Sequence, residues 1–271
     1  KRTYGDLDIL VKKSDADAVS NILKEKGYIQ GDFDKEKEEI VPVTRKVVVG
    51  YSMYTHQLYP FKKLFDQSFI VFDIHTKLHA PYRKGGQCVF DVDVSANSPC
   101  WQTLEQIDLY GERISTLNWN YFLLQICLHA YVNEVSIFSI VYDIGVNLRA
   151  YCDIRELILS KRDEINFEKF VELVQKTKAI QPIYYILANL SELYDDMRKI
   201  ISSIIEQIRP TNLDFMNEFG YSMEILGEQR GQYSKPFIER IFDDSPQEDV
   251  KRQKHLFRPP KSQLEFFTRY C

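Results

Sequence analysis

Asp6 and Asp8 lie in the segment GDLDILV, and their types and spacing could serve metal chemistry. Successive side chains of a β-strand point to opposite faces, so the two carboxylates would share a face, roughly 6–7 Å apart at their Cβ atoms. Like charges this close repel, and a hard divalent cation such as Mg²⁺ would neutralise them. The alternative is an edge strand whose outer face is merely acidic and wet. The residues expected to face a core are Leu7, Ile9 and Val11.

A site for two cations usually needs a third carboxylate from another strand. The segment FIVFDIHTKL offers Asp73, which shares a strand face with His75. Asp91 or Asp93 in FDVDV is the second choice, and Asp73 could equally be an ordinary solvent-facing residue. His75 could orient Asp73, bind substrate or make a structural hydrogen bond.

These residues need a sheet to bring them together. The segment from Ser14 to Lys26 predicts a helix with a capping box at Ser14, and Gly27 is a suitable stop. Three further segments are rich in β-branched and aromatic residues and predict strands: RKVVVGYSM (45–53), QSFIVFDIHTKL (67–78) and QCVFDVDVSANSP (87–99).

From about Asn118 the pattern becomes helical. Asn118 and Asn166 are expected N-caps, and apolar residues recur at helical spacing between Pro182 and Pro210. Beyond Pro210 we expect loops or an irregular tail. The sequence therefore predicts an α+β protein, in which a small mixed sheet is followed by a helical bundle.

Composition narrows the class of protein. The formal net charge of -4 argues against sequence-independent binding of nucleic acid. Five cysteines without paired C-x-x-C spacing indicate reduced thiols, not a zinc site. No apolar run reaches transmembrane length and no signal-peptide pattern opens the chain, so we expect a cytoplasmic location and no membrane partner. Because the chain begins without Met close to the Asp-x-Asp motif, we also expect that an N-terminal piece is missing.

Taken in order, the motifs resemble the nucleotidyltransferase superfamily with the DNA polymerase β-like fold. More specifically, they are similar to a bacterial branch known as uncharacterised nucleotidyltransferases. The resemblance starts with Arg2, a glycine-containing turn at Gly5, and DLDILV followed by a helix and KGY. It continues through FDIHTKL, the buried helix LLQICLHAY and the helix NLRAYCDIRELIL, and covers residues 1 to about 180.

The resemblance implies roles for particular residues. Asp6, Asp8 and Asp73 would bind Mg²⁺ or Mn²⁺, with Asp73 as ligand or base. The residues implied to contact the nucleotide or its phosphates, or to line the cleft, are Arg2, Gly5, His75, Arg149 and Asp153. Residues 1–115 would form the catalytic domain, without its N-terminal segment, and residues 116–271 a helical substrate-closing domain with an irregular tail.

Two departures from the branch concern activity. Its Gly-Ser turn, which cradles the nucleotide phosphates about ten residues before Asp-x-Asp, would precede Lys1. Asn133 stands where the branch often has a second histidine, one turn after His129. We interpret His129, on an apolar helix, as a core histidine in preference to a ligand.

The implied reaction transfers a nucleoside monophosphate from an NTP, ATP being the first choice, to an acceptor, with release of pyrophosphate. A small molecule or a peptide is the favoured acceptor. Two alternatives stay open: an enzyme of the same fold that modifies protein or RNA, as toxin–antitoxin relatives do, and a non-catalytic nucleotide-binding scaffold.

Overall fold

A computed structural model describes residues 6–65, 68–79, 82–84, 87–90, 92–136, 139–140, 148–220 and 231–253 of the chain. The chain divides into two compact units. The first draws its described residues from 1–81 and 92–101, and the second from 82–91 and 102–260. The expected domain boundary at residue 115 stays a prediction.

The first unit contains a five-stranded mixed sheet, in the order β1-β5-β4-β2-β3. Only β1 and β5 run parallel to each other; the other neighbours are antiparallel. The strands are β1 (Leu7–Leu10), β2 (Ile29–Asp34), β3 (Glu39–Pro42), β4 (Phe61–Phe65) and β5 (Ser68–His75).

Helix α1 (Ala16–Glu25) connects β1 to β2 and follows a single 3₁₀ turn. The predicted capping box is wrong: the Ser14 hydroxyl donates to the Asp15 carboxylate at 2.9 Å and makes no cap to the helix. Gly27 does end the helix, as expected, with a φ of +82° that favours glycine.

The core of this unit forms where α1 meets one face of the sheet. Leu23, Phe61 and Ile74 are buried together, and Val11 packs against them. Leu7 and Ile9, expected to be buried, are 47% and 38% exposed. Since the cluster contains Val11 but neither of these residues, the apolar packing reaches the carboxyl end of β1 and leaves its start uncovered.

The strand expected at residues 45–53 is a helix, α2 (Arg45–Tyr54). Its run of three valines favours a strand by intrinsic propensity, which is a weak constraint that local capping and packing override. Thr44 caps the helix by accepting a hydrogen bond from the Val47 amide.

Shorter elements follow. They are β6 (Tyr82–Lys84), β7 (Gln87–Phe90), α3 (Pro99–Gln102), β8 (Glu105–Leu109) and β9 (Glu112–Thr116). The strand predicted at residues 87–99 is therefore confirmed for its first four residues. Asp91 lies outside the described residues.

The second unit is a bundle of helices, as the sequence predicts. They are α4 (Trp119–Val135), α5 (Leu148–Ser160), α6 (Phe167–Lys176), α7 (Ile180–Leu193) and α8 (Asp195–Gln207). Asn118 and Asn166 cap α4 and α6 through their side-chain oxygens, which confirms both expected N-caps. Within the described part of the chain, no helix is long and apolar enough to cross a membrane.

The chain after Pro210 is more regular than predicted. It forms a 3₁₀ turn, a short β-pair of β10 (Glu218–Phe219) with β11 (Gly231–Gln232), and two helices, α9 (Phe237–Arg240) and α10 (Ser245–Arg252). The expectation of loops is therefore wrong for residues 245–252. Pro246 lies in the first turn of α10, where its missing N–H costs no helical hydrogen bond.

A buried ion pair joins this last segment to the bundle. Glu134 on α4 and Arg240 on α9 are almost fully buried, with Nη2 of the arginine 3.8 Å from Oε1 of the glutamate. Tyr151 and Tyr185 donate hydroxyl hydrogen bonds to the two oxygens of Glu134, and Arg240 donates to the Tyr185 hydroxyl at 2.7 Å. The guanidinium also lies 4.0 Å from the ring centre of Tyr233.

Candidate active site

The parallel pairing of β1 and β5 brings two of the predicted carboxylates together. Its register sets Asp8 directly opposite Asp73, so their side chains lie on the same face of the sheet. Asp6 immediately precedes β1 and is exposed. Acidic groups from separate segments therefore meet on one side of the sheet, as the alternation of residue types suggested.

Asp73 has a raised pKa. Burial, followed by the Asp8 and Asp6 carboxylates, raises the pKa of Asp73 to about 6, against the opposing effect of His75 and Lys62. Its Oδ1 atom is buried and has no hydrogen-bond partner in the described structure. A buried carboxylate oxygen without a partner is costly, so this position favours either a proton or a cation.

His75 contacts Asp8 instead of Asp73. Its Nε2 lies 2.7 Å from Oδ1 of Asp8, and the imidazole is buried while the carboxylate is largely exposed. The ring of His56 packs beside it, with ring centres 4.8 Å apart. Of the roles open at the sequence level, the geometry supports a hydrogen bond that fixes the orientation of Asp8.

Lys62 is a residue of the site that sequence reasoning missed. It lies on β4 opposite Val71, and therefore on the same sheet face as Asp73. Its Nζ is 2.8 Å from Oδ1 of Asp32, and the Tyr59 hydroxyl donates to Oδ2 of Asp32 at 2.6 Å. Burial opposes ionisation of Asp32, but these hydrogen bonds prevail and lower its pKa. The only available signal was the alternation of KKLF beside the acidic strand.

The donor set fits a hard cation in its chemistry. Asp6, Asp8 and Asp73 carry the oxygen atoms that a hard cation prefers, and the buried Oδ1 of Asp73, which has no partner among the described residues, would be open to one. Among the described residues, however, no three His, Cys, Asp or Glu side chains are already grouped closely enough to hold a metal. One reason why the carboxylates are not grouped is that Oδ1 of Asp8 contacts Nε2 of His75.

The other predicted site residues fall into three groups. Arg2 and Gly5 lie outside the described residues. Arg149 and Asp153 lie one turn apart on α5, in the second unit, so their proposed place in the cleft stays a prediction. Asp93, the second choice for the third carboxylate, is exposed in a turn and accepts a hydrogen bond from the Ser95 amide at 2.8 Å.

The interpretation of His129 as a core histidine is wrong. The side chain is exposed on α4, and its Nε2 lies 2.9 Å from the Asn133 side-chain nitrogen, one helical turn away. The apolar neighbours of His129 suggested that its side chain is buried. A helix can be buried on most of its circumference and still expose one side chain to solvent.

The raised pKa of Asp73 predicts a pH-dependent cost in stability. Because the folded-state pKa of about 6 exceeds the ordinary aspartate pKa of 3.8, this group destabilises the fold as the pH rises from about 4 through 6. We expect Asp73→Asn to raise the free energy of unfolding by about 1 kcal/mol at pH 8, after discounting for partial solvent exposure.

Urea unfolding at pH 8 and pH 5 checks this expectation, and the advantage of the variant should shrink at the lower pH. Asp17→Asn, at an exposed position in the first turn of α1, is the control; it should lose less than about 1 kcal/mol from the helix dipole and should not gain stability at either pH. An equal gain for Asp73→Asn at both pH values would contradict the assignment of the raised pKa.

Comparison with known proteins agrees with this geometry. The model of a protein family described as uncharacterised nucleotidyltransferase matches residues 1–195. No curated protein and no solved structure gives a significant match. The matched range contains every predicted site residue.

Proposed function

Since the chain belongs to this family of uncharacterised nucleotidyltransferases, we propose that it moves a nucleoside monophosphate from an NTP, with ATP as the first choice, to a small-molecule or peptide acceptor. Membership makes it an enzyme that transfers phosphorus-containing groups. The observation that carries the proposal is the register of β1 with β5, which sets Asp8 beside the partly buried Asp73.

We assign the binding of a divalent cation, Mg²⁺ or Mn²⁺, to Asp6, Asp8 and Asp73. When bound, such a cation neutralises triphosphate oxygens and lowers the pKa of the acceptor group. Asp8 is held by the buried imidazole of His75, so it needs little reorganisation to present its second oxygen. Positioning and charge neutralisation of this kind supply most of the catalysis in phosphoryl transfer.

Asp73 is suited to the proton transfer that accompanies the reaction. An acceptor oxygen forms a bond to the α-phosphorus, the bond from that phosphorus to the bridging oxygen breaks, and pyrophosphate leaves. The acceptor must lose a proton, and a carboxylate with a pKa of about 6 can accept it near neutral pH. Asp73 would serve as ligand or base; both assignments use the same unpartnered oxygen.

The decisive test is an assay for donor and acceptor. The protein is incubated with each labelled NTP, Mg²⁺ and a cell extract, and products are detected by the added mass of a nucleotide. A labelled product that depends on the wild-type protein supports the proposal. Hydrolysis of the NTP that releases phosphate and no pyrophosphate would count against it. So would the absence of a labelled product with every NTP and extract.

We predict that Mg²⁺ or Mn²⁺ tightens nucleotide binding by about tenfold or more, because carboxylates and a triphosphate repel each other without a shared cation. Calorimetry with an ATP analogue that resists cleavage at the α-phosphorus measures this directly. Removal of the cation with EDTA should restore weak binding. Equal affinity with and without the cation would contradict the assignment.

A further inference from the structure

Lys62 brings a positive charge to the acidic face of the sheet. It pairs with Val71 of β5, so its side chain leaves the same face as Asp73, two residues further along that strand. The charge acts on the site: burial and the neighbouring carboxylates raise the pKa of Asp73, and His75 and then Lys62 oppose the rise. An ammonium therefore stands beside the acids assigned to the cation, on the side of β5 away from β1.

Two of the three N–H donors of Lys62 have no partner among the described residues. The one hydrogen bond that its ammonium makes there is to Oδ1 of Asp32, at 2.8 Å. Only 18% of the Lys62 side chain is exposed, so the charged group has lost much of its hydration. Such a position is costly unless anionic oxygens surround the charge, and it favours the arrival of a second one.

The present partner of Lys62 is easily exchanged. The Asp32 carboxylate is 56% exposed, and ion pairs at exposed positions contribute little to stability. Asp32 is also held independently of Lys62, because the Tyr59 hydroxyl donates to its Oδ2 at 2.6 Å. The ammonium can therefore turn to another anion while Asp32 stays in place.

The face beyond Lys62 is open to a ligand. Leu64, two residues further along β4 on the same face, is exposed to solvent. Phe69, directly opposite Leu64 on β5, is exposed as well. A bound molecule can thus approach the ammonium from this side without displacing buried side chains.

We propose that Lys62 is a substrate-binding residue, whose ammonium exchanges Asp32 for an anionic oxygen of a bound substrate. The inference rests on the proposed function and adds a residue to its site. Asp32 acts as an internal competitor, which holds the ammonium until the substrate arrives. Hydrogen bonds between an ammonium and an anionic oxygen are roughly twice as strong as neutral ones. The anion has two possible sources: the triphosphate of the nucleotide, or a phosphate or carboxylate group on the acceptor.

Calorimetry with Mg²⁺ and the uncleavable ATP analogue tests the first source. If the anion is the triphosphate, Lys62→Met should weaken binding by about tenfold, and Asp32→Asn should tighten it by about threefold because the competing charge is gone. A gain in affinity cannot come from a damaged fold. In the double variant the gain should vanish, whereas a general effect of charge on the nucleotide would persist.

Fractionation of the cell extract tests the second source. The extract is separated on an anion-exchange resin before the labelling assay. If the anion belongs to the acceptor, the labelled product should arise from the retained fraction. Lys62→Met should then reduce labelling by about tenfold and Asp32→Asn should increase it, while both variants bind the ATP analogue as the wild type does.

Lys63→Met is the matched control in both experiments. Lys63 follows Lys62 on β4 and points to the opposite face, where its Nζ donates to the Lys26 carbonyl at 2.7 Å and lies 5.6 Å from the ring centre of Tyr28. This variant should behave as the wild type. The proposal would be overturned if Lys62→Met matched Lys63→Met in both experiments, or if Asp32→Asn lost as much as Lys62→Met.

Failure of this inference can be distinguished from failure of the proposed function. Cation-dependent binding of the ATP analogue and a labelled product in the wild type, without any effect of Lys62→Met, would refute the role of Lys62 alone. Absence of both in the wild type would refute the proposed function.

Discussion

Asp8→Asn is expected to reduce nucleotidyl transfer by roughly 10³-fold or more, since the site loses the negative charge that stands opposite Asp73. The amide keeps an oxygen in the position that faces His75, so the variant removes charge with little change in shape. In the wild type the Asp8 carboxylate is 68% exposed, and together with Asp6 it acts electrostatically on Asp73. We therefore expect the thermal unfolding midpoint to stay the same or to rise, because repulsion with Asp73 is relieved.

Asp93→Asn is the matched control for this loss. Asp93 belongs to the other acidic alternation in the sequence, and its exposed carboxylate accepts a hydrogen bond from the Ser95 amide. Transfer should be retained in this variant. If Asp93→Asn abolished transfer and Asp8→Asn retained it, the assignment of the carboxylates would be wrong.

Arg240→Ala is expected to destabilise the helical unit by about 3–5 kcal/mol, because it leaves the buried Glu134 without its cation. Burial already raises the pKa of Glu134, opposed by the guanidinium and by two tyrosine hydroxyls. The substitution also removes the hydrogen bond to Tyr185 and the contact with the ring of Tyr233. A loss of this size is a large part of the total stability of a typical domain.

Urea unfolding of the full chain measures the effect. Arg198→Ala is the control, because it removes an exposed arginine on α8 whose Nη1 lies 3.4 Å from Oδ1 of Asp195. It should lower the free energy of unfolding by less than about 1 kcal/mol. The double variant Glu134→Gln with Arg240→Met should lose less than the two single losses added together, since neither charge is then left alone. Similar losses for Arg240→Ala and Arg198→Ala would show that the buried pair contributes no more than a surface pair.

The sequence predicted that Asp8 and Asp73 could share a sheet face, and the strand register bears this out, while their catalytic roles stay predictions. Strand alternation alone placed Asp6 and Asp8 together and matched Asp73 to the same kind of strand, because side-chain direction in a strand follows directly from residue number. The helical half was equally accessible through Asn118 and Asn166, whose caps are local interactions. Asparagine N-caps were therefore predictable from local sequence, whereas the capping box expected at Ser14 was not.

Features that depend on distant residues could not be predicted. The helix at Arg45–Tyr54 contradicts the strand preference of its valines, and the expected burial of Leu7 failed because nothing local shows where the apolar packing stops. The contact between His75 and Asp8 joins residues 67 positions apart, and it required the strand register to be known.

The Glu134–Arg240 pair has a consequence for how this chain can be shortened. The family match stops at residue 195, yet the cation that compensates the central acid of the bundle is contributed by a residue well past that point. A fragment ending at residue 195 would retain Asp6, Asp8 and Asp73. It would leave the buried Glu134 without Arg240 and with a cavity where the arginine packs. The end of the family match is therefore not the end of the part of the chain that must fold together.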